Sequence, residues 1–181
     1  MVFVDLDADR NAHGEHSVGY ALSQLGLETS RRFGELIATV GLEPRHFALL
    51  SAVARDEGQS QQAVAERLHI PASTMVAVVD SLEHEGLIER RLHAYDRRTR
   101  TLHLTTRGAD TLEKATALAW SWEAVVCEGF DAPERLHLLD LLGRVAANVG
   151  IVRGSLPDMG SGERPSHTVN GQLARLPPDE R

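Results

Sequence analysis

The chain has 181 residues, 42% of them hydrophobic, and a net charge of −7, enough apolar material for one modest core with accessory helices. Aromatic residues make up only 4%, so the core is expected to be aliphatic, and the single cysteine, Cys127, excludes an internal disulfide framework. No apolar run approaches the roughly 18–20 residues that span a bilayer, and the acidic start lacks the order of a signal peptide, so a cytoplasmic protein with no membrane partner is expected.

Residues 1–17 mix Val2, Phe3 and Val4 with several aspartates and read as a poorly ordered N-terminal arm. Residues 18–40 form a helix, because Val18, Leu22, Leu25, Thr29, Phe33, Leu36 and Val40 recur at steps of three and four. Gly19, Gly26 and Gly34 lower its intrinsic propensity by roughly 1 kcal/mol each relative to alanine, so it needs tertiary or partner contacts. Pro44 opens a second helix to about Arg55, with Phe47, Leu50 and Val53 inward, and residues 56–59 read as a loop.

Ser60 is a natural N-cap for a short helix ending at Leu68, with Ala63, Val64 and Leu68 inward. His69 and Ile70 make a tight turn, and Pro71 suits the start of the next helix, residues 72–85. Met75, Val78, Val79 and Leu82 form its apolar stripe, and Gly86 is its stop. Two short helices about a tight turn suggest a helix-turn-helix. Residues 87–92 and 99–104 then read as two strands around a hairpin tip. From residue 87 to residue 108 the cations are Arg90, Arg91, Arg97, Arg98, Arg100 and Arg107, against Glu89 and Asp96 alone. That local reversal of sign suits phosphate better than the acidic whole does.

Thr105 to Gly108 leaves the second strand, and a helix follows over about residues 109–128, with Leu112, Ala115, Ala119, Trp122, Val125 and Val126 on its apolar face. Asp131 caps the last helix, residues 133–149. Leu136, Leu139, Leu142 and Val145 run along it, and Leu138 and Leu141 widen the face beyond what a small monomer needs. The surplus reads as a subunit interface. Residues 154–181, rich in Gly, Pro and Ser, read as a disordered tail.

Leu82-Glu83-x-x-Gly86-Leu87-Ile88-x-Arg90, then Asp96-Arg97-Arg98, then Leu104-Thr105-x-x-Gly108 resembles the multiple-antibiotic-resistance regulator (MarR) family. The resemblance extends back through Gly41-Leu42-x-Pro44 and covers most of residues 18–149. It implies a mainly α fold with a small β-hairpin wing: a winged helix-turn-helix over residues 42–108, wing 87–104, within a domain of residues 18–153. Residues 18–40 and 109–149 would be dimerisation helices. It implies a homodimeric DNA-binding repressor and no cofactor, in which Asp96 braces the wing while Arg97 or Arg98 enters the minor groove. Arg100 belongs to the same basic surface.

The second helix of the pair departs from the family's pattern, which often has Thr or Ser, Arg, and Arg where this chain has Val76, Ala77 and Ser81. No arginine is there to fork onto guanine. Val76 and Ala77 can pack on thymine methyls, while Ser73, Thr74 and Ser81 reach phosphates or bases. This favours an A·T-rich, pseudo-palindromic operator read largely through shape, because a narrow minor groove attracts guanidinium. In many relatives a small aromatic or phenolic effector binds between the dimer helices and the DNA-binding lobe, and Tyr20, His46 and Trp120 fall on the helices that would line that pocket; core packing is their other reading. The nine histidines show no metal-ligand spacing, and no catalytic constellation is present. A regulator, not an enzyme, is expected. The alternative is a dimeric ligand-binding or interaction protein on the same fold that has lost specific DNA recognition.

Overall fold

The computed structural model describes residues 17–93 and 99–151. Among these the order is α1 (Val18–Ala38), α2 (Pro44–Arg55), α3 (Gln61–Leu68), α4 (Ala72–His84), β1 (Ile88–Leu92), β2 (Arg100–Leu104), α5 (Thr106–Val126) and α6 (Ala132–Asn148). The expected helices and hairpin strands are all present, with ends shifted by up to three residues. The arm, the wing tip at residues 94–98 and the tail lie outside the described residues.

Side-chain chemistry sets the helix starts. The Ser60 hydroxyl accepts from the Ala63 N–H at 3.1 Å, as expected, and Asp131 and Glu134 cap each other's backbone at 2.8 and 2.9 Å. Ser17, assigned to the arm by sequence, instead caps α1 by accepting from Tyr20 N–H. Helix α5 starts three residues earlier than expected, because the Thr105 hydroxyl accepts from Gly108 N–H at 2.9 Å. Gly86 ends α4 with φ 69°, a left-handed conformation that glycine adopts without strain.

The core lies where α2, α3, α4 and the sheet meet. Leu49, Leu50, Val53, Val64, Met75, Val79, Leu82, Ile88 and Leu102 are all buried there, each contributing about 1.5–3 kcal/mol of transfer free energy. It is aliphatic, and aromatics enter only at its margin, where half-buried Phe33 and Phe47 meet edge to face with ring centroids 6.1 Å apart. The stripe expected on α4 is buried in full, as Met75, Val78, Val79 and Leu82.

One expectation needs correction. Residues 56–59 are not simply a loop. Gly58 N–H donates to Leu102 O at 3.1 Å, Leu102 N–H to Gln59 O at 2.9 Å, and Ser60 bridges Thr101, so this segment edges the β1–β2 sheet. The α1 stripe, read as needing tertiary or partner contacts, is half-buried or exposed along its length within the protomer. Ile37, outside that stripe, is the one buried residue of α1, while Val18 and Leu25 are 70% and 62% exposed.

Helix α6 goes further and buries no residue at all. Leu136, Leu139, Leu141 and Leu142 are exposed along it, as are Trp120, Val125 and Val126 on α5. None of the described helices is long and apolar enough to cross a membrane.

Candidate nucleic-acid interface

Helix α4 divides cleanly. Its buried side holds it on the core, and Ser73, Val76, Ala77 and Asp80 are exposed on the other side, with Thr74 and Ser81 half-buried at the edges. Ser81 is committed locally: its hydroxyl donates to Glu85 Oε1 at 3.1 Å. Val76 is 45% exposed, a large apolar side chain held out to solvent on a helix that already buries four others. An open cleft of about 830 Å³ runs beside it between α3 and α4, floored by Ala65, Ile70 and Met75 and rimmed by Gln61, Gln62, Glu66 and His69. His69 makes the turn in the left-handed conformation, φ 52°, unusual for a residue with a side chain.

The hairpin register decides where each wing residue points. Ile88 pairs with Leu104, Arg90 with Leu102 and Leu92 with Arg100, so these six share one face of the sheet. That face is buried at Ile88 and Leu102 and becomes exposed at Leu92 and Arg100. Arg100, expected on the basic surface, therefore stands at its open end. Asp96, Arg97 and Arg98 lie outside the described residues.

Arg90 is not part of a free basic surface. Its side chain, 17% exposed, forms ion pairs with Asp80 and Glu83 of α4, and its guanidinium donates to Gln61 Oε1 of α3 at 3.3 Å. Its backbone N–H donates to Glu83 Oε1 at 3.2 Å. Burial works against the charge, but the two carboxylates outweigh it and raise the guanidinium pKa further. Arg91 is likewise paired, with Glu89 on its own strand. Among the described residues of the segment, Arg100 and Arg107 are the exposed arginines without an ion-pair partner. Sequence reading missed the Arg90 cluster. The signal was there: period two puts Arg90 on the side of Ile88, and Asp80 and Glu83 lie one turn apart on the preceding helix.

The three residues considered for an effector pocket are scattered by burial. Tyr20 and Trp120 are 47% and 71% exposed, on the faces left open along α1 and α5, whereas His46 is buried. The Glu43 N–H donates to His46 Nδ1 at 3.4 Å, which places the imidazole proton on Nε2, and that buried N–H has no partner. Burial pushes the His46 pKa below its ordinary value. Cys127 is buried, and its thiol donates to Glu123 Oε1 at 3.4 Å; burial and that carboxylate push its pKa up, away from the reactive thiolate.

Comparison with known proteins identifies this architecture. The sequence profile of the MarR family matches residues 40–99. A transcriptional regulatory protein for the hcr operon of Thauera aromatica is 30% identical over 129 residues, 71% of this chain and 78% of that protein. The transcriptional repressor CouR, in a structure bound to a 23-mer DNA duplex, is 33% identical with a TM-score of 0.66, over 72% of this chain and 92% of its own. CouR bound to p-coumaroyl-CoA aligns with a TM-score of 0.63 at 32% identity, over 72% of this chain and 91% of its own. A MarR-family regulator from Rhodococcus sp. RHA1 is 26% identical with a TM-score of 0.61, over 71% and 91%. The chain is a member of the MarR family of transcriptional regulators, a winged helix-turn-helix protein and not an enzyme.

Proposed function

We propose that the chain is a cytoplasmic, homodimeric repressor that sets α4 in the major groove and its wing in the adjacent minor groove of an A·T-rich, pseudo-palindromic operator. The observation that carries this reading is the outward face of α4, where Ser73, Val76 and Ala77 stand exposed on a helix anchored by four buried neighbours. Val76 and Ala77 meet thymine methyls, and Ser73, Thr74 and Ser81 serve phosphates or base edges. Arg100 and the wing-tip residues Asp96, Arg97 and Arg98 form the minor-groove element. The second copy needed for a two-fold operator is supplied by the open apolar faces of α1, α5 and α6.

A second reading keeps support from α4 itself. Its exposed side carries Asp80 and Glu83 and no arginine or lysine, which suits an interaction protein that no longer selects sequence. Selection of bound fragments from genomic DNA separates the two: a shared A·T-rich, two-fold motif is the expected result, and random recovery would reject the repressor reading. On the selected site, Arg100→Ala is expected to lower the slope of log affinity against log salt by about one unit per half-site. Val76→Ala is expected to cost about 1 kcal/mol with no change in slope.

Release by a small aromatic ligand draws support from CouR, seen with DNA and with p-coumaroyl-CoA. Tyr20, His46 and Trp120 are proposed to line that site once a second copy covers α1 and α5. Titrating p-coumarate and p-coumaroyl-CoA into the protein–operator complex tests this: dissociation by either supports an aromatic effector, and a complex stable to both rejects this ligand class.

A further inference from the structure

The Arg90 cluster joins the two elements that must meet the same duplex. Arg90 lies on the inward face of β1, beside Leu102 across the ladder, where an apolar side chain would ordinarily sit. Its fork instead reaches Asp80 and Glu83 on α4, and Gln61 on α3. Glu83 is held twice, by the side chain and by the backbone N–H of the same arginine. A planar fork gripping two carboxylates fixes distance and direction together, which a lysine point charge does not. The two carboxylates are also the acids that α4 itself carries, and both residues are exposed. Left unpaired, they would repel the phosphates that the helix approaches.

We propose that Arg90 is a positioning residue for DNA specificity: it locks the wing strand to the recognition helix, so that the major- and minor-groove elements engage at one fixed spacing, and it offsets one of the two negative charges of Asp80 and Glu83. The proposal rests on the reading that α4 and the wing bind one duplex. It differs from the sequence-level view, in which Arg90 was one more cation offered to phosphate. A strut and a phosphate contact are distinguishable, because only the second is a counterion-releasing charge at the interface.

The test uses the full-length protein and operators selected by it. The A·T tract beneath the wing is kept at the selected distance from the major-groove half-site, or shifted by one or two base pairs. The parent is expected to prefer the selected spacing. Arg90→Gln should reduce that preference by about tenfold, within the range for directly coupled groups, and leave the salt slope at the parent's value. Arg90→Lys should restore the preference only in part, and Asp80→Asn should reproduce the loss. Should Arg90→Gln fail to fold, Glu83→Gln removes one carboxylate and is expected to weaken the spacing preference by itself. An unchanged preference in the folded variant overturns the proposal. So does a salt slope that falls by about one unit per half-site, as expected for Arg100→Ala, since that marks a direct phosphate contact. A parent that binds no duplex fails the functional reading itself, and the proposal with it; a parent that binds while Arg90→Gln keeps its spacing preference fails the proposal alone.

Discussion

Gly108→Ala tests the account of how the wing is joined to α5. The position lies in the first turn of a helix, where alanine is intrinsically better than glycine by about 1 kcal/mol, so propensity alone predicts a more stable protein. Packing predicts the reverse. A Cβ built on Gly108 would lie 1.8 Å from Leu87 O and 2.8 Å from Leu87 C, both backbone atoms, and real Cβ contacts essentially never fall below 3.0 Å. The start of α5 must therefore back away from β1 by about 1.2 Å or more, an overpacking strain of about 1–3 kcal/mol. That movement stretches the Thr105 hydroxyl's bond to Gly86 O, now 2.7 Å, and the Thr105 N–H bond to Leu87 O, now 3.1 Å. Losing both adds about 2 kcal/mol. Set against the propensity gain, the net destabilisation is about 2–4 kcal/mol, a fall of roughly 5–15 °C in the thermal midpoint for a chain of this size. Urea unfolding of parent and variant, followed by circular dichroism, measures it directly. A variant as stable as the parent or more so would refute the argument, because it would mean that α5 can withdraw from Leu87 at no cost.

Three further outcomes are expected. His69→Gly should stabilise the protein by about 0.5–1 kcal/mol in urea unfolding, since His69 holds a left-handed backbone with its side chain exposed; a destabilised variant would mean that the imidazole makes a compensating contact. His46 is buried with its folded pKa below the unfolded value, so its neutral form favours folding above the unfolded pKa of about 6.5 and that stability is lost as pH falls toward the folded pKa. His46→Gln should therefore show a shallower fall in thermal midpoint between about pH 7 and pH 5 than the parent, and an identical slope would count against a buried neutral imidazole. Leu139→Glu, placed on the uncovered face of α6, should weaken self-association by about a hundredfold in Kd by sedimentation, the consequence of burying an unpaired carboxylate at about 3 kcal/mol; a parent that sediments as a stable monomer would sink the dimer reading instead.

Periodicity found what lies on one element. The stripe of α4 is buried residue for residue, and the caps Ser60 and Asp131 are where their side-chain chemistry placed them. What periodicity cannot supply is the partner of a stripe. The apolar residues of α6 are as regular as those of α4, yet none of them is buried, because among the described residues no other helix or strand packs closely over them. The edge pairing at Gly58 and Gln59 was illegible for a related reason: it is made by backbone groups, and a segment too short to show alternation carries no side-chain signal of it. His46 was singled out as a pocket residue from helix position alone. In the structure it accepts the Glu43 N–H at the start of α2, a capping interaction more often made by Glu or Gln at that position.

Charge was the least legible property, and the reason bears on function. Counting side chains from residue 87 to residue 108 treats every arginine as available to phosphate. The structure removes Arg90 to an ion-paired site against α4 and ties Arg91 to Glu89. Among the described residues of that segment, Arg100 and Arg107 remain exposed and unpaired. A protein whose overall charge is −7, and in which two wing arginines pair with carboxylates of α4 and β1, is expected to have little non-specific attraction for DNA. The proposed complex then draws its affinity from contacts that depend on fit, with Val76 and Ala77 against thymine methyls and the wing in a narrow groove. Fit of that kind is lost when helix and wing move relative to one another, which is why the pairing that takes Arg90 away from phosphate is the one expected to matter for which site is chosen.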